Sequence, residues 1–217
     1  PKPSVTPIPP AAPIRPPASS SEPGRQSSGG GTGGVVDYAP LTGIYLNSQI
    51  AEADRILPFG SEWRWYYADL APTAGWAAAG YDDSTWNLGF GEFGFGDTPK
   101  ATIISAAPPP RPLTSYYRTT VAISNPAQFS KFALDLIRNG GVAIYVNGVE
   151  VARENLPAGP ITNSTYALVA TPASQRRVPV HVEIPASAFR NGVNTITAEL
   201  HLNYKSQPTA GFDLKVT

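Results

Sequence analysis

The sequence predicts an all-β protein, an antiparallel β-sandwich or jelly roll that is preceded by an extended N-terminal arm rich in Pro and Gly. Short segments between residues 131 and 203 alternate apolar and polar side chains, as half-buried antiparallel strands do. Turn-forming residues separate these segments, and helical periodicity is weak. Of the 24 Pro and 20 Gly in the 217 residues, nine Pro and six Gly lie within the first 34.

The predicted arm comprises residues 1–36. It contains no aromatic residue, so it lacks the apolar surface that could offset the entropy of an unfolded chain. Its Pro-rich part is expected to form a polyproline II rod, and its Gly-rich part a hinge. Two interpretations remain open: a solvated linker, or a peptide that becomes ordered on a partner protein. In the second interpretation the docking side chains are Val5, Ile8, Ile14, Arg15 and Arg25.

Residues 37–217 form the predicted jelly roll. Lys131–Arg138 and Val142–Val146 are predicted strands, and the Asn147-Gly148 pair after the second is the strongest short signal for a hairpin. In Val178–Ile184 and Thr195–Asn203 apolar residues recur at every second position, which predicts two strands with one solvated face each. Short helical turns are expected near residues 51–57, 126–129 and 185–189.

The composition excludes several classes of protein. Without Cys the chain has neither a disulfide framework nor a thiolate metal site, and its two His argue against a histidine-rich metal site. Sixteen basic and sixteen acidic residues give a formal net charge of zero, which argues against a nucleic-acid or anionic-membrane partner. No run approaches the ~18 apolar residues that span a bilayer. No charged segment followed by an apolar one opens the sequence, so no secretory signal is expected.

Several phrases of the predicted jelly roll are similar, in their order, to one known fold family. These phrases are Glu62–Tyr67 (EWRWYY), Tyr81–Trp86 (YDDSTW), Gly91–Asp97 (GEFGFGD), Ser115–Arg118 (SYYR), Ala143–Asn155 (AIYVNGVEVAREN), Asn191–Asn194 (NGVN) and Phe212–Leu214 (FDL). The set resembles the galactose-binding-domain-like β jelly roll, of the carbohydrate-binding kind that is appended to secreted bacterial hydrolases and occurs on surface and virion proteins. The resemblance covers about residues 38–217 and implies a β-sandwich that binds carbohydrate. Arg138–Gly141 (RNGG) departs from it, because relatives commonly carry acidic residues there.

The candidate ligand-binding residues combine aromatic rings with polar side chains. Exposed Trp and Tyr rings stack on sugars, and a guanidinium or amide group can reach a sugar hydroxyl. The candidates are Trp63, Trp65, Tyr67, Arg118 and Asn147. The alternative is structural: the rings fill the sandwich, and Arg118 pairs with Asp82 or Asp83.

No cofactor is expected, and Ca²⁺ is the only ion for which the sequence offers candidates. Asp82, Asp83 and Asp97 carry the oxygen ligands that Ca²⁺ prefers, although such residues more often cap turns. His181 and His201 each lie near a Glu and are expected on a solvated sheet face, with no nucleophile or second His at catalytic spacing. An enzyme is therefore not expected.

Two functions from different classes follow from these observations. In the first, the chain is a structural protein of a large assembly, a bacteriophage virion, in which it serves as a capsid decoration or cement protein or as a tail or baseplate component. Its arm docks on a neighbouring protein, and its jelly roll projects outward to bind host glycans. In the second, it is a secreted, extracellular carbohydrate-binding module of a bacterial hydrolase with its linker. The fold alone does not separate the two.

Overall fold

The structure is a computed structural model that describes residues 56–96 and 99–217. The predicted arm with its docking side chains lies outside the described residues, and so do the Ca²⁺ candidate Asp97 and most of the turn expected at 51–57. Within the described ranges, no helix has the length and apolar character needed to cross a bilayer.

Two packed β-sheets make up the described part of the chain, which confirms the predicted all-β sandwich. The six-stranded sheet contains, in spatial order, β2 (Asn87–Phe90), β1 (Glu62–Tyr67), β5 (Thr114–Ile123), β10 (Gly192–His201), β7 (Gly141–Val146) and β8 (Val149–Glu154). The five-stranded sheet contains β4 (Thr102–Ile103), β3 (Phe93–Phe95), β11 (Ala210–Val216), β6 (Lys131–Arg138) and β9 (Val180–Pro185). Neighbouring strands are antiparallel except β3 and β4. Short 3₁₀ helices lie at Pro126–Gln128, Ala173–Gln175 and Ala186–Ala188, two of them where turns were predicted.

Aromatic rings fill the space between the sheets. Tyr117 of β5 stacks on Phe212 of β11 with ring centroids 4.3 Å apart, and Trp63 of β1 meets Phe212 edge-on at 5.6 Å. Phe93 and Phe95 of the GEFGFGD phrase also belong to this core. Gly94 between them has a φ of 148°, and a Cβ there would lie 2.0 Å from the carbonyl oxygen of Ala210. The phrase therefore serves the packing of β3 against β11.

The predicted Asn147-Gly148 hairpin joins β7 and β8. Both turn residues have positive φ, 51° and 87°, which suits a tight turn between twisted strands. The Asn147 side chain is also committed: its Nδ2 donates to Asn194 Oδ1 at 2.8 Å, and its Oδ1 accepts from the Thr195 N–H at 3.0 Å. Asn147 thus fixes the turn to the neighbouring strand β10, which gives its side chain a structural role.

Strand β10 is buried on both of its faces, which corrects one prediction. Its inward residues, such as Leu200, are core residues as expected, but Thr197, Glu199 and His201 on the other face are also buried. The prediction of a solvated His201 is wrong, because loops cover this outer face of the six-stranded sheet. His181, in contrast, lies on an exposed face of β9, with its side chain 57 % exposed.

The described chain begins and ends at the same end of the sandwich. Leu57 forms a backbone bridge with Val216, with N–H to carbonyl distances of 2.8 and 3.2 Å. Ile56 and Thr217 line one apolar groove together with Ile123, the last residue of β5. The first residues of β5 lie at the opposite end of that strand.

A buried carboxyl group lies on the outer face of the five-stranded sheet. Asp213 of β11 is 3 % exposed, and its oxygens accept hydrogen bonds from the backbone N–H groups of Gly60 (3.0 Å) and Leu214 (2.9 Å). Burial raises the pKa of Asp213 to about 6; the two hydrogen bonds oppose this rise, and the charge of Glu92 adds to it. The folded protein therefore holds the Asp213 proton more tightly than the unfolded chain does.

This difference makes the free energy of unfolding depend on pH. Because the folded-state pKa lies above the unfolded one, the contribution of Asp213 to stability is largest below about pH 4 and is lost as the pH rises through about 6. The stability of the wild type relative to Asp213→Asn should therefore fall by up to about 3 kcal/mol between about pH 4 and about pH 7. Urea unfolding of both proteins across this pH range measures the effect.

Glu183→Gln is a control for which the change in the free energy of unfolding should depend on pH in the opposite direction. The hydrogen bond from the Lys131 ammonium group lowers the pKa of Glu183. The contribution of Glu183 is therefore present at neutral pH and is lost on acidification. Slopes of the same sign for Asp213→Asn and Glu183→Gln would contradict the assignment.

Candidate functional site

The three aromatic ligand candidates of β1 point into the sandwich. Alternation along the strand places Trp63, Trp65 and Tyr67 on the same face, which is the inner one. Trp63 is 1 % exposed in the core, and the other two rings are partly buried against it. The Tyr67 hydroxyl donates to the Pro112 carbonyl oxygen at 2.7 Å. The expected stacking platform is therefore not formed by these rings; strand alternation directs them to the core instead.

Arg118 is a buried clamp. Its side chain is 3 % exposed, and its Nε donates to Asp83 Oδ2 at 2.8 Å. Its Nη1 donates to the carbonyl oxygens of Trp76 and Ala78, the latter at 3.2 Å. Arg118 thus holds residues 74–80, the Trp76 turn, over the outer face of the six-stranded sheet. The pairing of Arg118 with Asp83 that the sequence suggested is present.

The described Ca²⁺ candidates have other partners. Asp83 accepts from Arg118 and lies 3.5 Å from Arg64 Nε, while Asp82 Oδ1 accepts from the Ser84 N–H at 3.0 Å. Hydrogen bonds from Ser84 lower the pKa of Asp82. Among residues 56–96 and 99–217, no group of three or more His, Cys, Asp or Glu side chains is placed to hold a metal ion.

The structure reveals a cleft on the outer face of the six-stranded sheet, here called the outer-face cleft. It encloses about 300 Å³ and is bordered by the Trp76 turn on one side and residues 161–163 on the other. Its principal lining residues are Pro72, Trp76, Tyr116, Tyr145, Asn163 and Glu199. The Trp76 ring meets Tyr116 and Tyr145 edge-on, with centroids 4.9 and 5.5 Å apart. Trp76, Tyr145 and Asn163 are partly exposed and form its accessible walls.

A chain of polar groups forms the floor of the outer-face cleft. The Tyr145 hydroxyl donates to Glu199 Oε1 at 2.5 Å, and Glu199 Oε2 lies 3.2 Å from His201 Nε2. His201 Nδ1 lies 2.9 Å from the Thr165 carbonyl oxygen and 3.0 Å from Thr114 Oγ1. The Glu199 side chain is 7 % exposed and that of His201 is 0 % exposed. Of these polar groups, Tyr145 and Glu199 line the cleft, whereas His201 does not.

Both cleft tyrosines remain protonated and able to donate. Burial raises the pKa of Tyr145, and its hydrogen bond to Glu199 raises it further. Burial also raises the pKa of Tyr116, with an added effect from the Glu199 charge. The cleft therefore combines aromatic surface, two neutral phenols, an amide and a carboxylate, which suits a ligand with both apolar faces and hydroxyl groups.

Sequence reasoning did not identify the cleft residues as a site. Alternation does place Tyr116 beside Arg118 and Glu199 beside His201 on one face, but of the two strands the sequence predicted only Thr195–Asn203. The missing information was that the Trp76 turn and residues 161–163 fold over this face. Neither segment carries a periodic pattern, so their position depends on tertiary contacts such as the Arg118 clamp.

Comparison with known proteins gives only a coarse likeness. No known family and no curated protein matches the sequence. Among solved structures, a β-glycosidase from Bacteroides vulgatus is 14 % identical, with a TM-score of 0.46 over 74 % of this chain and 20 % of its own. A glycosyl hydrolase family 2 member from Bacteroides cellulosilyticus is 17 % identical, with a TM-score of 0.45 over 75 % of this chain and 20 % of its own. A β-glucuronidase from an uncultured Clostridium species is 12 % identical, with a TM-score of 0.44 over 73 % and 28 %.

The chain thus spans about a fifth to just over a quarter of the length of these proteins. At such scores the likeness goes no further than a sheet-rich architecture.

The Arg118 clamp is open to a direct test. Arg118→Ala should lower the free energy of unfolding by about 2–4 kcal/mol, because two carbonyl oxygens and one carboxylate lose a buried donor. Arg118→Lys should lie between the wild type and Arg118→Ala, since an ammonium keeps the charge but not the fork of donors. Chemical denaturation measures both variants.

Arg64→Ala is the matched control, because Arg64 contacts the same Asp83 with a side chain that is 38 % exposed. Its loss should cost no more than about 1 kcal/mol. Equal destabilisation by Arg64→Ala and Arg118→Ala would contradict the role given to the buried guanidinium.

Proposed function

We propose that this chain is a non-enzymatic interaction protein whose sandwich binds a glycan in the outer-face cleft. The observation that carries this proposal is the combination of partly exposed Trp76 and Tyr145 rings with the buried carboxylate of Glu199 in one cleft. Sugars present apolar ring faces and many hydroxyl groups, so their sites pair aromatic side chains with a few fixed polar groups. The order of sequence phrases that resembles the galactose-binding-like jelly roll points to the same ligand class.

The polar groups of the outer-face cleft are held in place by the fold. Glu199 is fixed between the Tyr145 hydroxyl and the His201 ring, and the Asn163 Nδ2 donates to the Asp69 carbonyl oxygen at 3.0 Å. The Asn163 carbonyl oxygen in turn accepts from Thr114 Oγ1 at 3.0 Å. Such groups lose little freedom when a ligand binds, which favours specific binding.

A binding role agrees better with the cleft than a hydrolytic one. Glycoside hydrolysis ordinarily uses a pair of carboxyl groups on either side of the scissile bond. Of the described residues that line the outer-face cleft, Glu199 is the single carboxylate. We therefore assign the cleft to recognition and not to catalysis.

The biological setting is a second part of the proposal. We infer that residues 1–36 attach the sandwich to a partner protein of a large assembly, in the manner of a virion decoration or tail-associated protein. The support is the sequence of the arm, in which Lys2, Arg15 and Arg25 against one Glu give two net positive charges beside apolar side chains. The alternative is a secreted hydrolase, in which the same segment would be a linker.

Glycan binding is tested with the full chain on gels that contain laminarin, galactan or chitosan. Trp76→Ala should weaken the retardation by a bound polysaccharide about tenfold, because the loss of an aromatic ring from a binding site costs about 1–2 kcal/mol. Phe90→Ala is the matched control, since Phe90 is an aromatic residue 53 % exposed on β2 and outside the cleft. Retardation that is equal in both variants, or absent in the wild type, would overturn the proposed site.

The setting is tested by deletion of residues 1–36. The shortened protein should no longer co-purify with its assembly, but it should keep the same affinity for polysaccharide. Pull-down from the native source measures the first effect, and affinity electrophoresis measures the second. Unchanged co-purification would contradict the docking role and leave the linker interpretation.

A further inference from the structure

The outer-face cleft is lined by one acidic side chain and by no basic one among the described residues. Its ionisable lining groups are Tyr116, Tyr145 and Glu199, and none of the described residues that line it is Lys or Arg. Glu199 is the lining group that carries negative charge, and it lies at the floor with its side chain 7 % exposed. A bound molecule therefore meets one poorly solvated carboxylate and two neutral phenols.

Two basic side chains near the cleft, Arg118 and Arg153, form hydrogen bonds with residues other than Glu199. Arg118 is held by Asp83 and by the carbonyl oxygens of Trp76 and Ala78. Arg153, whose charge reaches Tyr145, forms a two-fold pair with Glu150, with N–O distances of 2.6 and 2.7 Å. Neither guanidinium group lines the cleft, although the charges of Arg153 and Glu199 act on each other.

His201 contacts Glu199 but does not face the ligand space. Its side chain is 0 % exposed behind the carboxylate, and its Nδ1 is engaged by Thr165 and Thr114. His201 therefore does not itself meet a bound molecule, and Glu199 is the acidic side chain that lines the cleft.

We propose that Glu199 makes the outer-face cleft selective for uncharged or cationic sugars and excludes uronates and other sugar acids. This inference rests on the proposed glycan-binding function. A hydroxyl or ammonium group on the ligand can donate to the Glu199 carboxylate at the floor of the cleft, whereas a ligand carboxylate at the same position would bring two negative charges together in a poorly solvated place. Glu199 is therefore a specificity-determining residue.

The test compares one polysaccharide with its own charged derivative. The neutral polymer that the wild-type full chain binds best is oxidised at its primary hydroxyl groups to carboxylates, which leaves backbone and linkage unchanged. The wild type should bind the oxidised polymer at least about tenfold more weakly at pH 8, from the repulsion of like charges a few ångströms apart. Affinity electrophoresis or calorimetry gives both dissociation constants.

Glu199→Gln removes the charge and keeps the shape of the side chain. In this variant the dissociation constants for the neutral and the oxidised polymer should differ by about threefold or less, chiefly because the oxidised polymer binds more tightly than it does to the wild type. This difference in affinity is the gap between the two polymers. Phe90→Ala, outside the cleft, should leave the gap unchanged. A gap that persists in a folded Glu199→Gln protein would overturn the role of Glu199.

The wild type alone also gives a readout that does not depend on any variant folding. Equal binding of the neutral and the oxidised polymer by the wild type overturns the charge selectivity and leaves glycan binding intact. No binding of any polymer overturns the proposed function itself.

Discussion

The arrangement of the outer face depends on the Arg118 guanidinium. A buried cation must find partners for its donors, and here they are the Asp83 carboxylate and the carbonyl oxygens of Trp76 and Ala78. This requirement draws the Trp76 turn down onto the six-stranded sheet, where the Trp76 ring reaches Tyr116 and Tyr145. One side chain of β5 thereby converts an outer sheet face, which would otherwise be solvated, into a second buried layer with a cleft in it.

The two faces of the six-stranded sheet consequently carry different kinds of interaction. The inner face is an apolar core in which Trp63, Tyr117 and Phe212 pack closely. The outer face holds buried polar groups that contact one another, among them Glu199 and His201. Buried polar groups of this kind must be oriented by partners, and a partly open region between them can accept a polar ligand without much rearrangement.

The sequence predicted what depends on local pattern and missed what depends on long-range contacts. Strand periodicity and the Asn147-Gly148 turn predicted the sandwich and its β7–β8 hairpin, since both signals reside in neighbouring residues. Trp63 looked like a ligand residue because an isolated aromatic does not show which face of a strand will be covered. His201 looked solvated for the same reason: the Trp76 turn and residues 161–163 have no periodicity that indicates where they will fold.

The described residues begin and end at one end of the sandwich, and this position bears on how several copies of the protein could bind a surface together. Leu57 and Val216 pair at the Ile123 end of β5, and the cleft residue Tyr116 lies seven residues away along that strand, roughly 23 Å at the usual rise. Ile56, which lines a groove with Ile123, therefore lies away from the cleft residue Tyr116 along β5. Several copies fixed to one scaffold would present their clefts to the same glycan layer, and simultaneous engagement raises apparent affinity by factors of about 10²–10⁴. A weak single site would then suffice for firm adhesion.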